Sequence, residues 1–330
     1  MRIIHLHLSR EFAGSETYAA DLAARQAEAG HTVALVVRQS EVLTRWQQRC
    51  GNAALLVVPR WAVGPLAVWV IQHYVRGFEP NLLHSHLGRA HKLAQKVAAK
   101  LKLPHVGTMH LRYKPAEHER LHARIAIAAW QLDEVPKALR STTYVVRNPV
   151  PVMPVAKRKA RNGTFVFGSV GRLHPNKGMA ELVQAFRLAF PDEPVGLEIV
   201  GEGPERAVIE QARQGDVRVV LQGNVPAAEY YSSWDCYVSA ARYEPFGLTL
   251  LEAMQQNLLI VATQTQGAIE IFGTQSAKPS WAKPNDVGSL AGALTQVYRA
   301  KRTEMAWDLS PFDPATILTQ IDDIYRKVLS

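Results

Sequence analysis

The loop after the first strand of the second half carries two cations just ahead of a helix. Its sequence, GRLHPNKG at residues 171–178, places Arg172, Lys177 and two glycines before a helix that begins near Gly178. An arginine forks onto phosphate oxygens, a lysine adds a compact charge, and a helix N-terminus offers unpaired N–H groups and a positive dipole end. The combination predicts a phosphate site, with a basic surface turn as the alternative.

Two glutamates form a second candidate. The stretch EPFGLTLLE at residues 244–252 places Glu244 and Glu252 on either side of Gly247, on a turn that leads into a helix. Both carboxylates can face one ligand only if the turn bends them together, and Gly247 permits that bend. Such a pair suits a ligand rich in hydroxyl groups, with Phe246 as an apolar surface beside it. The alternative is one salt-bridged and one solvated glutamate.

Histidines alternate along two strands of the first half. His84 and His86 share one face at a strand end, and His5 and His7 alternate out of the first strand. Neighbouring imidazoles can touch a substrate or bind a metal. Because no cysteine or carboxylate is placed nearby, we interpret these histidines as polar packing and do not assign them to the site.

Short apolar strands alternate with helices along the whole chain, which is the pattern of parallel sheets covered by helices on both faces. The predicted strands are residues 2–8, 32–37, 54–58, 82–86 and 105–109 in the first half, then 164–171, 195–200, 217–221, 236–239 and 258–262. The fold class is therefore α/β, with two doubly wound domains. Ligands of such sheets bind at the carboxyl ends of the strands, which here would border a cleft between the domains.

Three helical segments carry specific expectations. The first helix is predicted to have Ser15 as its N-cap and Gly30 just past its end, with an apolar stripe of Tyr18, Ala19, Leu22 and Ala23. The region bracketed by Trp61 and Trp69 favours a buried helix over a membrane-touching surface. The last helix opens at Asp313 and Pro314, and its apolar face is formed by Ile317, Ile321, Ile324 and Val328.

A proline-rich stretch separates the two halves. Residues 147–163 hold three prolines and then a basic cluster, without helical or strand periodicity, which predicts an interdomain linker that serves as a hinge. The expected domains are therefore 1–150 and 151–312. The final helix, 313–330, needs a packing partner, and the first domain is one candidate for it.

Composition limits the class of protein. A chain of 330 residues with 47% hydrophobic and 20% charged residues suits two globular domains and excludes a disordered or collagen-like chain. Its two cysteines, Cys50 and Cys236, suggest neither a disulfide framework nor a zinc site. Without a signal peptide or a long apolar run, we expect a cytoplasmic protein whose membrane contact, if it has one, is peripheral on the inner face.

The charge is concentrated in the first half. Residues 1–150 carry 20 Lys and Arg against 10 Asp and Glu, a net charge of +10, and eleven of the twelve histidines. Residues 151–330 carry 18 against 19. An anionic partner should therefore meet the first half, either a lipid surface or a phosphorylated substrate. Nucleic acid is not expected, because zinc-finger spacing and an aromatic-basic RNA signature are absent from the sequence.

Several motifs together resemble the retaining GT-B glycosyltransferases of family four, also called glycosyl transferases group 1. They are GSVGRLHPNKG, VGEGPE, GNVPAAEYYSSWDCYVSAARYEPFGLTLLEAM and QGAIEIF, in the order and spacing of that family. The resemblance covers both domains and is strongest over residues 165–272. It is supported in the first half by residues 13–33 and by GTMH at 107–110. One departure is Gln266 and Gly267 before Glu270, where the family usually has a pair of glycines.

The resemblance implies roles for the second domain. Arg172 and Lys177 look like the pair that holds the donor's diphosphate, Glu252 like the carboxylate on the ribose hydroxyls, and Glu244 like the residue facing the donor sugar. Backbone contacts to the donor would come from Phe246, Gly247 and Leu248.

In the first domain, Gly14 looks like the glycine that lets the first loop approach the phosphates. His110 is similar to the family histidine that reaches the transferred sugar.

The implied activity moves a sugar from a nucleoside-diphosphate donor, with UDP the expected carrier, to a glycan or lipid-linked acceptor on the basic first domain, with retention of anomeric configuration. The nucleotide sugar would be a co-substrate, and we expect no cofactor and no metal, since the sequence has no Asp-x-Asp. The alternatives are a GT-B nucleotide-sugar epimerase or phosphorylase, and a non-catalytic nucleotide-sugar binding protein.

Overall fold

The computed structural model describes residues 1–151, 153, 163–300 and 305–330. Most of the predicted linker, residues 152 and 154–162, lies outside the described residues. The chain divides into two compact units. The first is Met1–Pro149 together with Phe312–Ser330, and the second is Val150–Pro311.

The first unit is built on a parallel sheet whose described strands follow the order β3-β2-β1-β4-β5-β6-β7. Its strands are β1 Arg2–His7, β2 Thr32–Arg38, β3 Ala54–Val58, β4 Leu82–His86, β5 His105–Met109, β6 Ala123–Ala126 and β7 Thr143–Val145. The five predicted strands are confirmed. The sequence did not indicate β6 and β7, because three or four residues are too few to show a period.

Helices connect these strands and cover the sheet. They are α1 Gly14–Glu28, α2 Leu43–Arg49, α3 Gly64–Phe78, α4 Gly88–Leu101, α5 Pro115–His118 and α6 Gln131–Glu134, with a 3-10 helix at Lys137–Thr142. The predicted stripe of α1 is buried. The N-cap prediction is wrong, since α1 begins one residue before Ser15. The Glu16 carboxylate accepts hydrogen bonds from the Ala13 N–H and from the Ser15 hydroxyl, both at 3.0 Å, so that hydroxyl donates and does not cap.

The start of α3 differs from the sequence-based expectation. Ala67, Val70, Ile71 and Val75 are buried as expected for a core helix. The side chains of Trp61, Val63, Leu66 and Trp69 are instead exposed, with 61% of Trp69 accessible. The helix therefore buries one face and presents apolar side chains at its N-terminal end.

The last helix of the chain completes the core of the first unit. A 3-10 turn at Ser310–Phe312 leads into this helix, Pro314–Leu329, and Asp313 caps it by accepting the Thr316 N–H at 2.8 Å. Ile317, Ile321 and Tyr325 pack with Ile3 and Val106 of the sheet. Residues more than 200 positions apart thus share one core.

The second unit is a parallel sheet whose described strands follow the order β10-β9-β8-β11-β12-β13. Its strands are β8 Phe165–Val170, β9 Val195–Val200, β10 Val219–Gly223, β11 Cys236–Ser239, β12 Leu259–Thr263 and β13 Ser280–Ala282. The sequence indicated all of these except the three-residue β13. In both units the order reverses beside the first strand, which is the doubly wound arrangement.

Helices also flank the second sheet. They are α7 Met179–Ala189, α8 Arg206–Arg213, α9 Ala228–Tyr231, α10 Leu248–Gln255, α11 Gln266–Gly273 and α12 Val287–Arg299, with a 3-10 turn at Pro175–Lys177. The last helix of the chain, Pro314–Leu329, is α13. The core of this unit packs α7 and α12 on the sheet through residues such as Phe167, Phe186 and Leu294.

Eight histidines of the described chain are buried, and all of them lie in the first unit. They are His5, His7, His84, His86, His91, His105, His110 and His118. Burial lowers the pKa of each one below the ordinary value of 6.5, to about 3 for His105 and about 4 for His5. The folded unit therefore holds these imidazoles neutral.

This burial predicts that acid destabilises the first unit. Below pH 6.5 the unfolded chain binds protons that the folded unit does not, so the free energy of unfolding falls with pH until the folded pKa values are reached. Each histidine contributes about 1.4 kcal/mol per pH unit. Calorimetry between pH 7.5 and 5.5 should show one unfolding transition moving steeply to lower temperature. The transition of the second unit, which holds only His174, should move much less. Parallel shifts of both transitions would contradict the prediction.

Candidate functional site

The loop after β8 is tied to the loop after β9 by backbone hydrogen bonds. The Gly171 N–H donates to the Val200 carbonyl at 3.0 Å, and the Leu173 N–H donates to the Glu202 carbonyl at 2.9 Å. Arg172, between these bonds, is exposed. The carboxyl end of the sheet thus presents this guanidinium on a backbone fixed on both sides.

The same loop continues into a helix N-terminus, as predicted. Lys177 ends a 3-10 turn, and Gly178, with φ of +63°, is the N-cap of α7. The half-buried Lys177 ammonium lies 2.5 Å from the Glu244 carboxylate (Nζ to Oε2). The structure therefore brings together two candidates that are 67 positions apart in the chain.

The loop that carries Glu244 packs directly on the loop of Lys177. The Arg242 N–H donates to the Asn176 carbonyl at 2.8 Å, and a Cβ on Gly178 would lie 2.1 Å from the Ala240 carbonyl oxygen. From the other side, the Gly267 N–H donates to the Glu244 carbonyl at 3.0 Å. These backbone contacts hold the ammonium and the carboxylate in one place.

The glutamate stretch turns at Gly247 and then becomes helical. Gly247 has φ of +111° and is the N-cap of α10, of which the partly buried Leu248 is the first residue. The Phe246 side chain is buried, with 2% of it exposed, so it belongs to the core and does not form a ligand surface. A ligand contact at this residue would be made by its backbone.

Glu252 lies on α10 beside a buried tyrosine. Its Oε2 accepts a hydrogen bond from the Tyr231 hydroxyl at 2.7 Å. Burial and the neighbouring carboxylate raise the pKa of Tyr231, so the phenol keeps its proton and donates it. This bond fixes the orientation of the Glu252 carboxylate.

The two candidates from the first unit lie at the carboxyl end of its sheet. Gly14 is the exposed first residue of α1, which follows β1. His110 follows β5 directly, is 8% exposed and packs edge-on against the ring of Tyr18, with the centroids 5.0 Å apart. Tyr18 belongs to α1, so the first helix supports the His110 ring.

The structure adds histidines that the sequence interpretation left out of the site. His86 Nδ1 lies 3.1 Å from His110 Nε2, and His86 Nε2 lies 3.1 Å from His5 Nδ1. The register of β1 against β4 pairs His5 with His84 and His7 with His86. A His-x-His pattern in two strands that become neighbours is the signal that would have found them.

Three of these histidines also meet the spacing of a metal site. One ring nitrogen each of His5, His84 and His86 lies within 4.8 Å of the others, and all three side chains are fully buried. All six of their ring nitrogens have protein partners. His5 also contacts Gln26 at 2.6 Å, and His84 contacts Tyr325 at 2.5 Å and Thr108 at 2.7 Å. An ion at this position would displace some of these hydrogen bonds.

Burial sets the charge of this histidine group. It lowers the pKa of His110 to about 3 and that of His86 well below its ordinary value, where His84 and His110 add to the effect. His7 Nε2 lies 3.4 Å from the Glu16 carboxylate, but burial lowers the pKa of His7 to about 3. The imidazoles are therefore neutral at physiological pH.

Comparison with known proteins identifies the family. A family model for Glycosyltransferase Family 4 matches residues 12–162, and one for Glycosyl transferases group 1 matches residues 164–300. The chain belongs to this family of glycosyltransferases. The family membership that the sequence motifs indicated is thereby confirmed.

Two curated relatives illustrate the range of this family. The glycosyltransferase is 30% identical over 202 residues to a phosphatidylinositol N-acetylglucosaminyltransferase subunit of Saccharomyces cerevisiae, covering 59% of this chain and 43% of the yeast protein. It is 27% identical over 291 residues to a glycogen synthase of Mycobacterium tuberculosis, covering 76% of this chain and 69% of that protein. The chain thus spans less than half the length of the yeast relative.

Solved structures confirm the GT-B fold. The crystal structure of HepE from Anabaena, in complex with UDP and glucose, superposes with a TM-score of 0.82 at 19% identity, covering 99% of this chain and 100% of that one. Within the part of the glycosyltransferase that the structure describes, no helix is both long and apolar enough to cross a membrane.

The packing of the loops after β8 and β11 predicts a specific cost for a side chain at Gly178. Gly178→Ala and Gly215→Ala both place an L residue at positive φ, but only the first meets an atom, the Ala240 carbonyl, since nothing lies within 4 Å of the Cβ position at Gly215. We expect Gly178→Ala to lower the free energy of unfolding by about 1–3 kcal/mol more than Gly215→Ala. Urea denaturation measures the difference. Equal losses would mean that the loops are not in contact.

Proposed function

We propose that this glycosyltransferase moves a hexose from a UDP-sugar to a hydroxyl group of a glycan or lipid-linked acceptor, with retention at the anomeric carbon. The observation that carries the proposal is the contact of Lys177 with Glu244. It joins a cation suited to a diphosphate with a carboxylate suited to sugar hydroxyls. The named activities of the two curated relatives and the UDP and glucose bound to HepE support it.

The donor would lie along the loops at the carboxyl end of the second sheet. Arg172, Lys177 and the N-terminus of α7 are proposed to bind the diphosphate, and Glu252 the ribose hydroxyls. The Tyr231 hydroxyl holds one oxygen of Glu252 and so pre-orients it. The family resemblance implies that Phe246, Gly247 and Leu248 would contribute backbone groups at the start of α10.

Charge develops on the diphosphate as the sugar leaves. The bond from the anomeric carbon to the phosphate oxygen breaks with its electron pair moving to that oxygen. The acceptor oxygen forms the new bond on the same face of the sugar, and its proton passes to the departing phosphate. Fixed cations aimed at that oxygen stabilise this transition state more than the ground state. Arg172 and Lys177 supply them in this proposal.

The first unit is proposed to supply the remaining contacts. Gly14, at the N-terminus of α1, would let the backbone approach the phosphates, and His110 would contact the transferred sugar. We also propose that the transfer needs no metal, because two protein cations serve the diphosphate. A chelator should then leave the transfer rate unchanged.

Removal of the Arg172 guanidinium tests the diphosphate assignment. Loss of one charge-assisted interaction corresponds to about 1.5–3 kcal/mol, so Arg172→Ala should weaken UDP binding roughly 10- to 150-fold in calorimetry. Arg299→Ala removes an equal charge from an exposed position at the end of α12 and should leave the affinity unchanged. Equal affinities for both variants would refute the assignment of Arg172.

Replacement of Glu244 separates transfer from binding. Glu244→Gln keeps the shape of the side chain but removes the charge that pairs with Lys177. We expect it to retain UDP binding and to lose transfer to a sugar acceptor by about tenfold or more, because a charged hydrogen bond to the sugar is lost. Unchanged transfer would contradict the role of Glu244.

Product analysis separates the competing activities. With the donor alone, an epimerase would convert one UDP-sugar into another, and with phosphate a phosphorylase would release a sugar phosphate. A binding protein would produce neither and would not transfer sugar to any acceptor. The anomeric configuration of the product, read from its NMR coupling constants, tests retention.

The acceptor that the first unit favours is anionic and lipid-linked. Three arginines lie at the carboxyl edge of the sheet. Arg10 follows β1, Arg38 ends β2, and Arg89 lies in the first turn of α4. Burial and the positive charges of Arg10 and Arg89 lower the pKa of Arg38, which shows that like charges gather here. Arg38 also donates to the carbonyls of Arg60 and Ala62, beside the exposed Trp61. A basic edge next to exposed aromatic rings suits an anionic lipid surface.

The exposed aromatics give this proposal a test. Trp69→Ser should reduce flotation with liposomes that contain anionic lipid, because an indole that inserts into the lipid interface contributes strongly to membrane binding. Leu188→Ser, a comparably exposed residue on α7 of the second unit, serves as the control and should float as the unmodified protein does. Absence of flotation of the unmodified protein with anionic liposomes would refute the lipid surface.

A further inference from the structure

We propose that His86, His5, Gln26 and Tyr325 are positioning residues that set where His110 carries its proton. Through them Nε2 of His110 is protonated, and Nδ1 is an acceptor for a hydroxyl group of the substrate. The proposal rests on the proposed function only in giving His110 a substrate contact. The hydrogen-bond chain itself stands on the geometry of the first unit.

The hydrogen-bond chain starts at the residue after β5 and continues through two strands, β4 and β1, and two helices, α1 and α13. From His110 it runs through His86 to His5, with nitrogen to nitrogen distances of 3.1 Å at both steps. His5 Nε2 then lies 2.6 Å from Gln26 Oε1, and Gln26 Nε2 lies 3.4 Å from the Tyr325 hydroxyl. Because Tyr325 lies on α13, this hydrogen-bond chain links the last helix of the protein to His110.

Donor and acceptor chemistry fixes each proton in turn. A neutral imidazole has one N–H and one lone pair, and an amide oxygen only accepts. His5 must therefore donate from Nε2 to Gln26, which leaves Nδ1 to accept from His86 Nε2. The lone pair of His86 is then on Nδ1 and accepts from His110 Nε2. The lone pair of His110 is consequently on Nδ1.

Tyr325 decides the direction of the whole chain. Its hydroxyl lies 2.5 Å from His84 Nδ1, and burial raises the pKa of this phenol, so it remains a donor. It donates to His84, whose Nε2 donates in turn to Thr108 at 2.7 Å. The phenol oxygen then accepts from the Gln26 amide, which directs the amide oxygen at His5. The phenol has a single proton, and the 2.5 Å contact with His84 is shorter than an N–H donor usually makes, so the hydroxyl is the donor there. In the reverse order the phenol would give that proton to the 3.4 Å contact with Gln26.

The burial of the group preserves this order. His5, His84 and His86 are fully buried, and burial lowers the pKa of each, so each ring carries a single proton at neutral pH. A second proton on one ring would interrupt the sequence of donors and acceptors. Burial therefore fixes the tautomer of each histidine as well as the position of its ring.

The result defines what His110 can recognise. Its ring is hydrogen-bonded to His86 through Nε2, and 8% of the residue is exposed. A neutral ring with a lone pair on Nδ1 accepts a hydrogen bond from a hydroxyl group and offers nothing to a phosphate oxygen. His110 is thereby specified for a hydroxyl of the sugar or the acceptor, and the diphosphate is left to the cations.

A metal ion at the same histidines would produce the opposite tautomer. If an ion took the lone pairs of His5 Nδ1 and His86 Nε2, His86 would carry its proton on Nδ1 and donate it to His110 Nε2. His110 would then carry its proton on Nδ1. The two arrangements are therefore distinguished by one observable.

The test is to measure the tautomer of His110 in the full-length protein by ¹⁵N NMR, with ¹⁵N-labelled histidine. The signals of His110 are assigned by their loss in the His110→Gln variant. We expect a protonated Nε2 in the unmodified protein. His86→Asn places an amide oxygen where Nδ1 lies and should preserve that tautomer, whereas His86→Leu should give a mixture of both. A protonated Nδ1 in the unmodified protein, or stoichiometric zinc by elemental analysis, would overturn the chain.

Kinetics of sugar transfer give the second measurement. His86→Leu should lower kcat about tenfold, as expected for one lost hydrogen bond, with UDP affinity unchanged, and His86→Asn should restore most of the rate. His105→Leu is the control, because His105 is equally buried but lies on the other sheet face with Ser85. If NMR shows a protonated Nε2 on His110 but His86→Leu retains full kcat, the hydrogen-bond chain is supported and the proposed contact of His110 with substrate is refuted. If Arg172→Ala also leaves UDP binding intact, the proposed donor site fails separately.

Discussion

The contact between the Lys177 ammonium and the Glu244 carboxylate is the interaction on which the candidate site of the second unit depends. It is 2.5 Å long and half-buried, and it joins two loops that leave β8 and β11 of the same parallel sheet. Its position is fixed by backbone, through the bond of Arg242 to Asn176 and the close approach of Gly178 to Ala240. Charged groups stabilise a ligand best when they are held in a fixed position. Here the backbone contacts between the two loops fix both groups.

In contrast to this charged pair, the first unit contains a buried network of neutral polar groups. Its sheet buries imidazoles at positions where an apolar strand would carry valine or isoleucine, and burial removes their charge. The ring nitrogens of His5, His84 and His86 are hydrogen-bonded to one another, to His110 and to the side chains of Gln26, Thr108 and Tyr325. Buried polar groups of this kind are stable only when each has a partner, so the network specifies both ring orientation and proton position. The last helix of the chain thus contributes Tyr325 to this network as well as apolar side chains to the core.

Most of the fold was predictable from the chain. The runs LLHSH and HVGTM, and their counterparts in the second half, are long enough to show buried strands, and the Asp313 cap was visible as Asp-Pro before an apolar period. β6, β7 and β13 were missed because three or four residues carry no period. Ser15 does not cap α1 because its hydroxyl donates a hydrogen bond to the Glu16 carboxylate, a local competition that composition does not show. The start of α3 was misjudged because Trp61 and Trp69 are apolar and yet exposed.

The sequence by itself determined the α/β class, the family and the residue types of the loops after β8 and β11, because these depend on short-range periodicity and on motifs read in order. Only the tertiary structure decided which groups meet. Lys177 reaches Glu244 because β8 and β11 are neighbours in the sheet, and His5 reaches His86 because β1 pairs with β4. Tyr325 joins that group from a helix more than 200 residues away. Contacts between distant segments depend on strand order and packing, which no local pattern encodes.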